Sequence, residues 1–288
     1  MEDYKLSRLD KYLRRTYGKF IPQSVIEKAI RNKDILVNGQ KTKSSSMVAE
    51  GDEVFVHPTI QKTFANVGRE EKQKPAIDYS KFVDWFKGMI IYEDDDFIII
   101  NKPSGLAVQL GSKTELSVDV MAKAYNEEAR LVHRLDKETS GITILAKNIE
   151  TSRYMLRLFQ TKKVCKKYIA VVSGKLPLMK GVINKPLIKN KDMVVIDFEH
   201  GKKAITEFKA IKDWGGNKTE IEVKPLTGRN HQIRVHMASI GCPIVGDKKY
   251  NGLKFYRLCL HSYEVSFVTA KGKGICKIAP IPNDFYVK

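Results

Sequence analysis

The 288-residue chain is 42% hydrophobic and 29% charged, which fits about two globular domains and excludes wholesale disorder. Lysine and arginine number 51 against 33 aspartate and glutamate residues, a formal net charge of +18. The expected partner is therefore polyanionic, since cations that displace counterions from phosphates supply most non-specific nucleic-acid affinity.

Residues 1–60 read as a small α+β unit. In RLDKYLRR, Leu9 and Leu13 stand four apart and give a helix one apolar face, while Arg8, Lys11, Arg14 and Arg15 make the other face basic. IPQSVIEKAIRN predicts a second helix with Val25, Ile26, Ala29 and Ile30 inward. ILVNGQK then changes period around a tight turn at Asn38-Gly39, and GDEVFV closes the unit as a strand. Residues 61–84 are polar and mixed in charge without periodicity, the composition of a linker.

Residues 85–288 form the larger domain. MIIYEDDDFIIINKPSGL predicts two antiparallel strands around an acidic turn, broken at NKPSG. SVDVMAKAYNEEARL and IETSRYMLRLFQ predict helices, the second burying Tyr154, Met155, Leu158 and Phe159. TILAKN, KKYIAVVSG, AITEFKAI, NKTEIEVKPL, RLCLHSYEVSF and ICKIAPI read as strands. Without regular βαβ alternation, the expectation is an α+β domain built on a mainly antiparallel mixed sheet.

Four widely scattered cysteines, Cys165, Cys242, Cys259 and Cys276, form no Cys-x-x-Cys pair, which argues against a zinc ribbon or a secreted disulfide framework. The first residues are acidic early, with no apolar leader core, and no run of about 18 apolar residues occurs anywhere. A cytoplasmic protein without membrane contact is expected.

The polar motifs of the larger domain fall at strand ends and turns, where reach and rigidity combine. His231 and His236, on a helix predicted for NHQIRVHMASI, lie five apart and about 140° around its axis, so they do not share a metal ion, and none is expected. Ser140 lacks the elbow of a serine nucleophile, and GSKTELS lacks the upstream glycine of a phosphate loop. That leaves Asp136 in LVHRLDKETSG, between Arg134 and Lys137. Nearby cations lower a carboxylate pKa, and an ionised aspartate suits covalent attack on, or charge stabilisation of, a sugar at its glycosidic bond. A structural ion pair is the alternative.

Two resemblances extend this reading. The basic helices, the Val-Asn-Gly turn and the Gly-Asp-x-Val strand resemble, over about fifty residues, the RNA-binding domain first seen in ribosomal protein S-four. HRLDKETSG, with NKPSGLAV, KKYIAVV, GRNHQIRVHMASIGCPIVGDKKY and LCLHSYEVSF in order, resembles the RluA-type pseudouridine synthases, above all those acting on large-subunit ribosomal RNA. The resemblance implies a cofactor-free isomerase that breaks the bond from uracil nitrogen to ribose and rejoins the base through carbon. It implies Asp136 as catalytic residue, Tyr168 packed on the base, and Arg234 paired with Asp136, with Arg229 as its competitor. Arg134 resembles the residue that fills the space of an extruded base. Lys102 and Lys167 are expected at RNA phosphates, and Arg229 is expected among the RNA-binding residues with Arg8, Lys11, Arg14 and Arg15. Gln109 departs from the family, where many relatives carry histidine. The expected partner is RNA, naked or in an assembling particle, and the expected state is a monomer.

Overall fold

The computed structural model describes residues 6–19, 21–69, 78–111 and 114–286. Contacts divide the chain into two units, Met1–Ile77 and Asp78–Lys288.

The first unit contains β1 (Ser7–Arg8), α1 (Leu9–Tyr17), α2 (Gln23–Arg31), β2 (Ile35–Val37), β3 (Gln40–Lys41), β4 (Met47–Val48), β5 (Val54–Val56) and α3 (Pro58–Arg69). Leu9 and Leu13 from α1 and Ile26, Ala29 and Ile30 from α2 share a core with Ile35, Val48 and Val56. Asn38 and Gly39 both take positive φ, 50° and 71°, as the two central residues of a type I′ hairpin turn require.

α3 corrects the linker expectation. Its first turn begins at Pro58, where the missing N–H of proline costs nothing. Ile60 and Phe64, four apart, pack on the core of the unit, and Phe64 is fully buried. A window opened at Gln61 cuts off both Pro58 and Ile60, so the period is lost. The rest of that segment includes a 3-10 turn at Ser80–Phe82 and the start of α4 (Val83–Met89), while residues 70–77 lie outside the described residues.

The second unit continues with β6 (Ile90–Glu93), β7 (Phe97–Lys102), α5 (Val118–Tyr125), β8 (Arg130–Leu131), β9 (Ser140–Ala146), α6 (Ile149–Gln160), β10 (Cys165–Ser173), β11 (Lys180–Asn184), β12 (Leu187–Asn190), β13 (Met193–Ile196), β14 (Ile205–Gly215), β15 (Lys218–Pro225), α7 (Gln232–Ala238), β16 (Leu260–Val268) and β17 (Gly274–Ile278). A ten-stranded sheet runs β11-β14-β15-β10-β16-β9-β7-β6, with β17 added to β16 and β8 to β9. Every pairing in it is antiparallel except β16 with β9, which meet in parallel at His261–Ser140 and Ser262–Gly141. The fold is thus α+β on a mainly antiparallel mixed sheet. Gly141 sits at that meeting with φ of 106°, and a Cβ there would stand 2.3 Å from the Ser262 carbonyl oxygen. Only glycine permits this approach.

α7 is buried on nearly every side, from Gln232 to Met237. Ile233 and Met237 enter the core around β10 and β15, and Val235 packs under β12 and β13.

Candidate active site

Asp136 lies in the loop between β8 and β9, and two separate motifs build that loop. Lys102, at the end of β7, is fully buried, and its Nζ donates to the carbonyls of Pro103, Leu106 and Lys137 at 2.9, 2.8 and 3.1 Å. Gly105 N donates to the Lys137 carbonyl at 2.9 Å, and Ser104 Oγ to the Glu138 carbonyl at 2.6 Å. NKPSGL and HRLDKETSG are therefore stitched into one structure. Lys102 cannot reach RNA phosphate from there, which corrects its expected role. Burial pushes its ammonium down to about 7, yet three carbonyl acceptors use all three of its protons, so this geometry holds the charged form.

His133 steadies the same loop. Its Nε2 accepts from Ile144 N at 2.9 Å, and its ring stacks on Phe159. Burial, then the Lys166 charge, pushes it down to about 3, so it stays neutral. At the loop's far end Ser140 is fully buried and accepts from Arg257 Nη2 at 2.6 Å. Ser140 Oγ also lies 2.9 Å from His261 Nδ1, while His261 Nε2 is 3.2 Å from the Ala279 carbonyl. That carbonyl accepts the Nε2 proton, so Nδ1 accepts from Ser140. The serine is fixed within a structural network and is not exposed as a nucleophile.

The cation on Asp136 comes from α7. Arg234 Nη1 lies 3.3 Å from Asp136 Oδ2, and the Arg234 side chain is only 4% exposed against 21% for Asp136. Arg134 and Lys137, its sequence neighbours, are exposed and make no ion pair with it among the described residues. Arg229 is also exposed and donates to the Lys203 carbonyl at 3.1 Å.

Asp247, which nothing in its sequence context singles out, holds Arg234 from behind. Its two oxygens accept from Arg234 Nε and Nη2 at 2.7 and 2.8 Å, a bidentate pair. Backbone N–H groups of Lys249 and Tyr250 donate to the same carboxylate at 3.0 and 3.2 Å. Burial works against the Arg234 charge, but Asp247 and then Asp136 outweigh it and raise the guanidinium above its ordinary value. Gly246 makes the turn possible: its φ is 80°, and a Cβ would stand 1.7 Å from the Arg257 carbonyl oxygen.

His231 completes the surroundings of the acid. It caps α7 in the left-handed region, φ 50°, which is uncommon for a residue with a side chain. Gln232 over-determines the turn: Oε1 accepts from Thr227 Oγ1 and Arg229 N, and Nε2 donates to the Ile205 carbonyl and to Thr206 Oγ1. His231 Nδ1 lies 2.8 Å from Tyr250 Oη, which itself accepts from Val194 N at 3.1 Å. Tyr250 satisfies the imidazole by donating to Nδ1, leaving the ring proton on Nε2, 3.9 Å from Asp136 Oδ2. Burial pushes the His231 pKa down, keeping it neutral. Both flanking groups address Oδ2, and Oδ1 accepts no hydrogen bond among the described residues. His236 lies apart, between Thr206 Oγ1 and the Lys185 carbonyl.

Tyr168 is buried on β10, opposite Ser262 of β16. Burial pushes its hydroxyl up to about 12; Ser262 acts the other way, and the nearby Asp136 charge adds to the rise. The phenol is protonated at neutral pH. Lys167, on the next position of β10, pairs with Glu264 at 3.0 Å and Glu222 at 3.7 Å, so its charge is already matched, against the phosphate contact expected of it.

In the first unit Lys11 and Arg15 are exposed. Arg8 donates to both Asp10 oxygens at 3.2 and 2.8 Å, and Arg14 to the Ile21 carbonyl and Gln23 Oε1 at 2.9 and 2.8 Å. Lys11, Arg14, Arg15 and Lys19 line one surface depression.

Residues 96–239 match the RNA pseudouridylate synthase family and residues 7–54 the S4 domain. The ribosomal large subunit pseudouridine synthase C of Rickettsia bellii is 40% identical over 97% of this chain and 96% of its own length. The protein of the same name from Vibrio parahaemolyticus is 36% identical over 92% and 86%. Among solved structures, human RNA pseudouridylate synthase domain containing 1 superposes with a TM-score of 0.59 at 25% identity, over 67% of this chain and 83% of that one. Human RNA pseudouridylate synthase domain containing 4, at 23% identity and a TM-score of 0.62 over 72% and 94%, shares the fold. A carboxylate gripped from one side, a protonated phenol beside it and this match along nearly the whole length lead to one conclusion: the chain belongs to the RNA pseudouridylate synthase family, an isomerase of uridine in RNA with an S4 domain ahead of the synthase domain.

Proposed function

We propose that this enzyme isomerises uridine in large-subunit ribosomal RNA, in keeping with its bacterial relatives named ribosomal large subunit pseudouridine synthase C, and that Asp136 is its catalytic residue. The observation that carries the reading is the one-sided grip on Asp136: Arg234 and His231 address Oδ2 and leave Oδ1 for the ribose. Oδ1 attacks C1′ or removes the C2′ proton as the bond from N1 to C1′ breaks. The base turns and C5 bonds to C1′ as the Oδ1–C1′ bond breaks or, on the second route, as C2′ regains its proton; the C5 proton then leaves and N1 takes one up. No net redox change occurs.

Tyr168 stacks on the uracil through its ring and keeps its proton through the cycle. Arg134, exposed two residues before the acid, fills the stack left by the flipped nucleotide. Lys11 and Arg15 of the S4 domain add phosphate contacts that position the RNA without reading bases. Among the described residues no helix is long and apolar enough to cross a membrane.

The test uses a large-subunit rRNA transcript carrying tritium at uracil C5. Wild type releases tritium with no free uracil, and Asp136→Ala lowers turnover by a factor on the order of 10⁴ while RNA affinity holds. Release that survives the substitution, or free uracil as product, overturns the proposal.

A further inference from the structure

The strand that carries Tyr168 also carries a lysine, Lys166, with no protein anion to match it among the described residues. Along β10, side chains alternate between faces, so Lys166 and Tyr168 share one face, and Lys167 and Ile169 the other. The register slip between Lys167 and Tyr168 passes over Tyr263 of β16, so the extra residue belongs to that strand and the alternation along β10 continues. Lys166 therefore stands one step along the strand from the tyrosine beside Asp136.

Its surroundings are the two loops already described. β15 pairs with β10 up to Tyr168–Val223 and ends at Pro225, which sets Lys166 level with the turn that leads to His231. A Cβ on Gly228 of that turn would stand 3.8 Å from Lys166 Nζ. From the other side, the Lys166 charge helps hold His133 neutral in the Asp136 loop. The ammonium thus lies where the catalytic loop and the Arg229–His231 turn converge.

Lys166 and Lys167 differ in their partners. Lys167 has Glu264 and Glu222. Among the described residues Lys166 Nζ has no carboxylate within 4.0 Å and no hydrogen-bond partner, although it is only partly exposed. Burial pushes its pKa down, the mark of a cation that has lost water without gaining an anion. Such a group is costly unless a ligand supplies the opposite charge.

We propose that Lys166 binds a backbone phosphate of the RNA next to the flipped uridine, and so positions the nucleotide whose base rests on Tyr168. The proposal rests on the reading of this cleft as the uridine site. It assigns the phosphate contact within the cleft to the unpaired lysine and withdraws it from Lys167.

The test measures affinity for a uridine-containing RNA against potassium chloride concentration, with tritium release in parallel. Each phosphate contact contributes about 0.7–0.9 to the slope of log K against log salt. Lys166→Gln is expected to lower the slope by about one contact and to raise KM more than it lowers kcat, Lys166→Arg to restore the slope, and Lys167→Gln to leave it at the wild-type value. Gly228→Asp, which sets a carboxylate beside Nζ, is expected to lower the slope as Lys166→Gln does, and it decides the matter should that variant not fold. An unchanged slope in the folded Lys166 variant, or in Gly228→Asp, overturns the proposal, as does an equal loss in Lys167→Gln. A wild type that shows these slopes but releases no tritium would sink the uridine reading and leave the phosphate contact standing.

Discussion

The cations of the S4 domain and those of the synthase domain differ in what their N–H groups do. Lys11 and Arg15 are exposed on α1, and in the proposed reading they track a diffuse field of phosphates. Lys102, Arg234 and Arg257 are buried, and their donors are committed to fixed acceptors: three carbonyls for Lys102, Asp247 and Asp136 for Arg234, Ser140 and Asp284 for Arg257. The first kind supplies affinity that salt screens. The second sets geometry, and salt scarcely reaches it. A net charge of +18 therefore overstates the surface available to RNA, since part of it serves as internal scaffolding.

The sharpest way to break this comparison is Asp247→Asn. The substitution keeps the shape but removes the charge that holds Arg234, and breaking a buried pair in this way costs about 3–5 kcal/mol. Thermal unfolding of the synthase domain should shift down accordingly, and kcat should fall by about a hundredfold as the guanidinium loses its aim at Asp136. Wild-type kcat in a folded Asp247→Asn would show that Arg234 needs no clamp.

A second test uses pH. His261 is held at about 4 and His133 at about 3, both by burial first, against an ordinary 6.5. Below pH 6.5 the unfolded chain takes up protons that the folded one refuses, so stability is full above 6.5 and is lost progressively as pH falls. At pH 5 the loss from His261 alone is about 2 kcal/mol. Chemical denaturation at pH 7 and pH 5 should show it, and His133→Gln should make the loss smaller without removing it, since His261 remains. A curve flat across this window contradicts the neutral, buried assignment.

The smallest effect belongs to the S4 domain. Replacing Lys11 or Arg15 by Ala should weaken RNA binding evenly across sequences, lowering the salt slope by about one each and leaving kcat at wild type. A large kcat loss there would mean that those residues do more than hold phosphate.

Much of this architecture is legible in the sequence. Hydrophobic period placed α1, α2, α5 and α6, and it placed β7, β10 and β14 to β17. Asp136 is legible as an acid framed by cations in a turn; Tyr168, inside β10, and Arg234, on buried α7, are reached only through the family resemblance. What escaped depended on distant contacts. β11, β12 and β13 are four or five residues long and interleaved with lysines, too short for a period to register. Asp247 in GDKKY reads as an ordinary turn acid; only Gly246, folded against the Arg257 carbonyl, carries it to Arg234. Lys102 reads as a surface lysine, because lysine is rarely buried and its third acceptor lies 35 residues away. Lys166 was within reach of the sequence: counting two residues back from Tyr168 selects it over Lys167.

The parallel meeting of β9 with β16 has a consequence for assembly. It is the seam between two portions of the sheet, β6, β7, β8 and β9 on one side and the strands from β10 onward on the other. Ser140 bolts it, bonded across to Arg257 and His261. Asp136 arrives on the loop that leads into β9, while Arg234 and Asp247 belong to the other side. Neither portion alone carries a gripped acid. The grip on Asp136 therefore forms only where the two portions meet, and closing the seam is what brings Arg234 to the acid.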